Sequence, residues 1–304
     1  MNKSNPFLDV SAARKNPDLA IDFLAHHLRQ GSLGLALGAG ASKYLKLPEW
    51  GVLVDTCSKA EGLPSLPPKS PTADLCARME EIEKKHSASG KADKGHSASY
   101  RSLVQTALYS GIRFNDILHG ELLMALGALL MGSKRGSITE VINLNFDDVL
   151  EWYLYLHGHD IDVVTSLPTL RTAADVTIYH PHGFLPAHSE FTQSDFLIFS
   201  EESYDSKMGD LLEAWTELTR SFLKSKVVLC VGLSGNDPTF GPIFKNVQTA
   251  LGSSRPTGVW MFTKGSDPKK LTSLEDRNFV VLELDDHDKW PHFLLAVCQQ
   301  AARG

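Results

Sequence analysis

Four short apolar segments of this chain each end in a turn of glycine or polar residues, and this repetition restricts the fold more than any other feature. The four segments, interpreted as strands, lie near residues 33–38, 139–145, 177–181 and 226–232. Helical patterns lie between several of them, which predicts an α/β fold with a mostly parallel sheet covered on both faces. Because the carboxyl ends of parallel strands meet at one edge of a sheet, we expect the four turns to form one ligand site. Further strands are predicted near 161–165, 196–200, 257–263 and 279–284.

The turn after the second strand carries an amide and two carboxylates. Asn145 follows the apolar run, and apolar residues at helical spacing continue over 148–156. Asp147 and Asp148 are both placed to cap that helix, with Asp148 the better candidate. Turn and capping roles alone would explain these residues, but His182 ends another strand 37 positions after Asn145. We therefore predict that Asn145, Asp147 and His182 share one site.

The other two turns are rich in small residues. In Gly38–Ser42, backbone N–H groups are free to approach a phosphate. Lys43 stands where a dehydrogenase fingerprint requires glycine, so this is a dinucleotide loop of another kind. After the fourth strand, a glycine permits close backbone approach, and hydroxyl and carboxylate groups can bind a ribose. Each loop alone is also compatible with an ordinary structural turn. The predicted binding residues of the two loops are Gly38, Ala39, Gly40, Ser42, Gly232, Ser234 and Asp237.

In this order and spacing, the motifs resemble the catalytic core of the sirtuins. They are most similar to the bacterial SIR2-like NAD+ hydrolases of anti-phage defence, which also tend to carry a segment like 200–204 and an aspartate like Asp237. The resemblance spans about residues 33–242. It implies a Rossmann-like sheet in a single SIR2-like domain over 1–304, with an inserted loop and helical module at 62–131.

The resemblance also implies that NAD+ is the substrate and that the nicotinamide–ribose bond is cleaved. The nicotinamide of NAD+ is already a cationic leaving group, so the enzyme must stabilise an oxocarbenium-like transition state. Asn145 and His182 are the predicted catalytic residues. The Asn145 carboxamide would hold the attacking water or a ribose hydroxyl, and His182 would accept its proton. Asp147 would orient the ribose or the nicotinamide amide.

Departures from the deacylating sirtuins shape the functional hypothesis. Those enzymes carry a zinc module of two Cys-x-x-Cys pairs, whereas the four cysteines here, at positions 57, 76, 230 and 298, lack ligand spacing. Asn143 and Leu144 also stand where sirtuins have threonine and glutamine. Water is therefore favoured over an acyl-lysine peptide as acceptor. Two alternatives stay open: a module that senses NAD+ or ADP-ribose without turnover, and a deacylase.

No metal is expected at this site. His180 and His182 would suit an amidohydrolase-type metal centre, but such a centre needs further ligands at the ends of later strands. Those strands end in Gly232, Thr263 and Leu284 instead.

Charge and hydropathy restrict the partners. With a formal net charge of −6 and no basic stripe, the chain is not expected to bind nucleic acid. The pairs Lys84–Lys85, Lys134–Arg135 and Lys269–Lys270 are isolated from one another and are expected to be solvated surface. No apolar stretch is long enough for a membrane span, and a cytoplasmic location is expected.

The resemblance also suggests how such an enzyme is controlled. An NAD-depleting effector of abortive infection needs gating, so a homo-oligomer or a separate sensor subunit is predicted.

The inserted module contains two helical patterns and a polar loop. The loop around 86–99 repeats His-Ser-Ala-Ser and suits either a lid or a surface loop. Helices are predicted over 100–108 and 114–131. The second is apolar around most of its circumference, which indicates burial in the domain or in a subunit contact.

Overall fold

Seven parallel strands form the centre of the chain. The computed structural model describes residues 13, 16–68, 70–87, 97–113, 115–167, 169, 172–199, 210–235, 243, 247 and 256–304. The strands are β1 Leu33–Leu37, β2 Glu140–Asn143, β3 Ile161–Val164, β4 Val176–Tyr179, β5 Val227–Val231, β6 Gly258–Thr263 and β7 Phe279–Leu284. Their order in the sheet is β3-β4-β2-β1-β5-β6-β7. The predicted mostly parallel α/β sheet is therefore confirmed.

Helices connect the strands and cover the sheet. They are α1 Pro17–Arg29, α2 Trp50–Ala60, α3 Thr72–Ser87, α4 Ala98–Tyr109, α5 Asn115–Leu118, α6 Glu121–Leu130, α7 Val149–Leu156, α8 Asp210–Ser225, α9 Pro268–Glu275 and α10 Lys289–Arg303. Two short 3₁₀ turns, Ala39–Ala41 and Lys43–Leu45, follow β1. In the part of the chain that the structure describes, no helix is both long and apolar enough to cross a membrane.

The sheet separates two buried cores, as alternation along its strands requires. In β1, Leu35 and Leu37 belong to the first core and Ala36 to the second. β5 divides in the same way, with Leu229 in the first core and Cys230 in the second. The first core includes α1, α6 and α10, and the second includes α8 and α9. Both faces are therefore covered, which explains why the central strands are apolar throughout.

The strand order produces a switch point beside the central strand. β1 pairs with β2 on one side and with β5 on the other. The chain leaves β1 towards β2 and leaves β5 towards β6, so the loops after β1 and β5 run in opposite directions. In open α/β sheets, this divergence creates the crevice in which ligands bind.

Two predicted elements differ from the structure. The strand predicted at 196–200 is wrong, because 196–199 are irregular and residue 200 lies outside the described residues. The apolar side chains there are buried, and the main chain bonds to the turn at 182–184 instead of to a strand. Ile198 N–H, for example, donates to the His182 carbonyl at 2.8 Å. The helix predicted at 114–131 is two helices, α5 and α6. They separate at Gly120, where an added Cβ would lie 2.7 Å from the Tyr44 ring.

Helix α6 belongs to the core of the domain. Seven of its ten residues are buried, and the helix packs against α10 and α7. Of the two interpretations of this apolar helix, burial in the domain is confirmed. Met124 is the large hydrophobic side chain that α6 exposes.

Gly258 provides a test of the sheet packing. A Cβ at this position would lie 2.8 Å from the main-chain carbon of Val228 in the adjacent strand β5. Because backbone cannot move aside cheaply, Gly258→Ala should lower the free energy of unfolding by about 1–3 kcal/mol. Gly132→Ala is the control, since an added Cβ there meets nothing within 4 Å. Urea unfolding measures both variants, and equal stabilities would contradict the packing argument.

Candidate active site

A cavity of about 460 Å³ lies at the carboxyl ends of β1, β2 and β5. Its position is the switch point of the sheet, as the sequence predicts. The predicted site residues that line it are Gly38, Ala39, Ser42, Asn145, Asp147, His182, Gly232 and Ser234. Gly40 is not part of the lining, and Asp237 lies outside the described residues. The structure thus brings the four turns together, while the chemical roles of these residues stay predictions.

The two glycine loops pack directly against each other. Gly40 N–H donates to the Gly232 carbonyl at 3.0 Å, and Gly38 N–H donates to the Val231 carbonyl at 3.1 Å. Gly232 has φ +74°, and an added Cβ would lie 2.7 Å from the Gly38 carbonyl oxygen. At Gly40, an added Cβ would lie 2.8 Å from Gly232 Cα. Gly40 therefore serves the contact between the loops, whereas Gly38 and Gly232 also form the cavity wall.

Both the main chain and the side chain of Asn145 are fixed by hydrogen bonds. Its carboxamide Nδ2 donates to the Gly38 carbonyl at 3.2 Å and to Ser42 Oγ at 3.4 Å. Its main-chain N–H donates to Asn143 Oδ1 at 3.1 Å. Only 8% of the residue is exposed, on the cavity side. Because the amide nitrogen is engaged by the glycine loop, the carboxamide oxygen is the side-chain atom left for a ligand.

Asp147, rather than Asp148, provides the side-chain cap of α7. Asp147 Oδ1 accepts from Val149 N–H at 3.2 Å and from Ser42 Oγ at 3.3 Å. Asp148 occupies the N-cap position with φ −102° and ψ 21°, which is not the extended conformation that directs a side chain over the first turn. Its carboxylate instead accepts from Tyr109 Oη–H at 2.9 Å and lies 2.8 Å from His188 Nδ1. Asp148 therefore occupies the predicted N-cap position, whereas the side-chain hydrogen bond to the first turn comes from Asp147.

The carboxyl group of Asp147 is electrostatically unusual. Burial and the nearby charge of Glu151 raise its pKa to about 7 from the ordinary 3.8, although Val149 and Ser42 donate hydrogen bonds to it. Near neutral pH, this group therefore exists in both the acid and the carboxylate form. It can donate a hydrogen bond in one form and accept in the other, which suits contact with an amide or a ribose hydroxyl.

His182 reaches the cavity from the turn after β4. Its carbonyl accepts from Ile198 N–H at 2.8 Å. The next residue, Gly183, has φ +102°, and an added Cβ would lie 3.2 Å from Leu197 Cα. The buried segment 196–199 thus fixes the turn that directs His182, which explains why its apolar residues resemble a strand without joining the sheet.

Three aromatic rings form a wall that the sequence interpretation missed. Trp50 and Phe199 are stacked at 4.9 Å, and Phe146 meets Phe199 edge to face at 5.1 Å. All three line the cavity. Such a wall offers a flat apolar surface to an aromatic ring. Phe146 sits inside the Asn145–Asp147 motif, but the contribution of Trp50 and Phe199 depends on tertiary packing.

Lys270 is a second residue that was missed. It lies one turn before Leu274 on α9, and Leu274 Cδ1 is 3.3 Å from the position of a Cβ on Gly235. This contact places Lys270 beside the loop after β5, where it lines the cavity with Ser234. It is the one Lys or Arg among the described lining residues. Lys269 is exposed, whereas Lys270 is partly buried where it lines the cavity.

His180 does not face the cavity. It is fully buried, with Nε2 2.9 Å from Glu151 Oε1 and Nδ1 3.1 Å from the Asn145 carbonyl oxygen. Within the described ranges, no group of three or more His, Cys, Asp or Glu side chains could hold a metal ion. The four cysteines are free thiols in buried positions.

A comparison with known protein families gave a match over part of this sheet. A family model described as SIR2-like domain matches residues 139–282. The match begins beside β2 and ends within β7, so it includes the Asn145, His182 and Gly232 turns. A comparison with curated proteins gave no match.

The raised pKa of Asp147 predicts how stability depends on pH. Between about pH 4 and pH 7, the folded chain holds a proton on Asp147 that the unfolded chain has lost, so the free energy of unfolding falls as pH rises. Asp147→Asn removes this pH-dependent contribution to the free energy of unfolding. Its stability relative to the wild type should rise across that range by up to about 4 kcal/mol and then level off.

Urea unfolding at a series of pH values measures this difference. The same substitution at the exposed Asp116 provides the control, since Asp116→Asn changes a carboxyl group that is not buried. A stability difference between Asp147→Asn and the wild type that does not change with pH would contradict the buried, protonated state of Asp147.

Proposed function

Because the SIR2-like family model matches residues 139–282 of this chain, we propose that it is an NAD+ hydrolase that cleaves the nicotinamide–ribose bond to give nicotinamide and ADP-ribose. SIR2-like domains use NAD+, and the fold is the Rossmann-like sheet that suits a dinucleotide. One observation carries the proposal: Asn145, Asp147 and His182 line the same cavity as the two closely packed glycine loops. A pure dinucleotide binder needs the loops but has no need of the amide and the imidazole.

The cavity suits the parts of a dinucleotide. Its volume of about 460 Å³ lies within the usual range for small-molecule sites. In this proposal, the pyrophosphate lies against the glycine loops, because Gly38 and Gly232 line the cavity with main chain rather than with side chains. Ser234 would bind a ribose hydroxyl or a phosphate oxygen, and Asp237 a ribose hydroxyl. The aromatic wall would receive a ring of the substrate.

The proposed reaction needs little acid catalysis. The C–N bond electron pair leaves with the nicotinamide, which departs as a neutral molecule, and positive charge develops on the ribose. The oxygen of the Asn145 carboxamide is placed to bind the attacking water or a ribose hydroxyl. Water oxygen then bonds to the ribose carbon, and His182 accepts its proton. Asp147, with a pKa of about 7, would orient the ribose or the nicotinamide amide.

Water is the proposed acceptor, and the setting is proposed to be NAD+ depletion in antiviral defence. A sensing module without turnover and a deacylase are the alternatives. Because unrestrained NAD+ hydrolysis would kill the host cell, we propose gating by self-association or by a sensor subunit. Exposed apolar side chains on neighbouring helices support a contact surface, and they are Leu118, Met124, Tyr155 and Leu156.

Removal of either proposed catalytic group tests the function. Asn145→Ala and His182→Ala should each lower nicotinamide release from NAD+ by at least about 100-fold, because positioning and proton transfer are lost together with the group. Chromatography of nicotinamide measures the rate, and calorimetry with NAD+ confirms that each variant still binds. His292→Ala, at an exposed position of α10, is the control and should retain full activity.

The outcomes separate the alternatives. NAD+ binding by the wild type without nicotinamide release, in every assembly state that can be prepared, would favour the sensing module. Nicotinamide release only in the presence of an acyl-lysine peptide would favour the deacylase. Full turnover by a folded His182→Ala chain would exclude the proposed proton acceptor.

Lys270 should contribute to substrate affinity through a phosphate group. Lys270→Met keeps the length of the side chain but removes its charge, and it should raise KM for NAD+ roughly 5- to 30-fold while kcat changes little. The adjacent, exposed Lys269→Met is the matched control and should leave KM unchanged. Initial rates of nicotinamide release at several salt concentrations give the measurement. Equal KM values for the two variants would contradict a phosphate contact.

A further inference from the structure

Three buried polar side chains lie beneath the Asn145 turn. Asn143 ends β2, His180 follows β4, and Glu151 lies in the first turn of α7. Each of them is at most 1% exposed, and none lines the cavity. β2 and β4 are parallel neighbours, so the residues at their carboxyl ends lie side by side, and α7 starts directly after the turn. These three residues are called the clamp below.

The clamp holds both polar groups of the Asn145 main chain. Asn143 Oδ1 accepts from Asn145 N–H at 3.1 Å, and His180 Nδ1 lies 3.1 Å from the Asn145 carbonyl oxygen. Glu151 Oε1 connects the two holders, because it accepts from Asn143 Nδ2 at 3.1 Å and lies 2.9 Å from His180 Nε2. One carboxyl oxygen therefore connects the residues that orient the two peptide groups on either side of the Asn145 Cα.

The partners dictate where the protons lie. A main-chain carbonyl can only accept, so His180 Nδ1 must carry a proton. A second proton must lie between His180 Nε2 and Glu151 Oε1, since two lone pairs would otherwise face each other at 2.9 Å. The pair is therefore either an imidazolium with a carboxylate or a neutral imidazole with a carboxylic acid. Both forms have zero net charge, which makes complete burial tolerable.

We propose that Glu151 and His180 are positioning residues for Asn145, which fix its main chain so that the carboxamide oxygen faces the cavity. This role rests on the proposed NAD+ hydrolase function. Apolar side chains of similar volume would usually stabilise a core as well as a buried polar pair does. Apolar side chains cannot supply what the clamp does, namely directional hydrogen bonds to the two peptide groups that flank the Asn145 Cα. The side chain of Asn145 is fixed independently through Nδ2 and the Gly38 carbonyl.

Glu151→Gln is the most specific test, because it preserves the shape of the side chain. If the glutamine oxygen takes the place of Oε1, His180 needs a second proton with no balancing charge. If the amide nitrogen takes that place, it opposes the Asn143 amide nitrogen. Either arrangement loses a contact of the clamp. We expect kcat for nicotinamide release to fall roughly 10- to 100-fold, with the Kd for NAD+ changed less than about threefold.

The stoichiometry of binding separates positioning from loss of folded protein. Calorimetry with NAD+ should still give the wild-type number of sites per chain in Glu151→Gln, so the lower kcat would belong to folded, ligand-binding molecules. His180→Phe, if it folds, should likewise lower kcat while the Kd for NAD+ changes little. In the wild type, ¹⁵N NMR of His180 should show a protonated Nδ1.

A second buried carboxylate–imidazole pair provides the matched control. Asp148 is fully buried and lies 2.8 Å from His188 Nδ1, but neither side chain hydrogen-bonds to Asn145 in the described structure. His188→Phe removes that contact and should cost stability, whereas kcat per binding site should stay within about twofold of the wild type.

Several outcomes would overturn the positioning role. They are an unchanged kcat per site in Glu151→Gln, an equal loss in His188→Phe, and an unprotonated His180 Nδ1 in the wild type. If the wild type binds NAD+ without turnover, the hydrolase proposal fails and hydrogen exchange of the Asn145 amide tests the clamp. That amide should exchange at least about tenfold faster in Glu151→Gln, and unchanged exchange would overturn the clamp as well.

Discussion

The parallel pairing of β1 with β2 on one side and β5 on the other is the constraint on which the rest of the site depends. It sets Leu37 beside both Asn143 and Val231, so the three strands end at the same level. The loops that follow can then meet, and Gly40 N–H reaches the Gly232 carbonyl at 3.0 Å. A slip in register would separate these loops and would turn the apolar side chains of β1 to the wrong core.

Much of this arrangement could be predicted from the sequence. Short apolar runs that end in glycine or polar turns reveal parallel strands and the edge at which they meet, and the turns at Gly38, Asn145, His182 and Gly232 do meet there. Local pattern alone does not distinguish a buried irregular segment from a strand, which is why residues 196–199 were assigned wrongly. Whether such a segment becomes a strand depends on backbone pairing with neighbouring strands, and this pairing is a property of the whole sheet.

Contacts between distant segments account for the residues that the sequence interpretation missed. Lys270 is adjacent to the exposed Lys269 in the sequence, and its place at the cavity depends on how α9 lies beside the Gly235 loop. Glu151 carried a weak signal, as a carboxylate in the otherwise apolar start of α7. Its partner His180 is 29 positions away, and the pairing depends on β2 and β4 being neighbours.

The adjacent residues Asp147 and Asp148 have identical side chains, but their surroundings give them different contacts. Burial raises the pKa of both, but different partners surround them. The Asp148 carboxylate bonds to Tyr109 and His188, and these two residues connect it to the loop at 185–188. Asp147 keeps one face towards the cavity, and burial pushes it towards its acid form. The clamp beneath Asn145 therefore acts on the orientation of an amide, whereas burial favours the protonated form of the neighbouring acid.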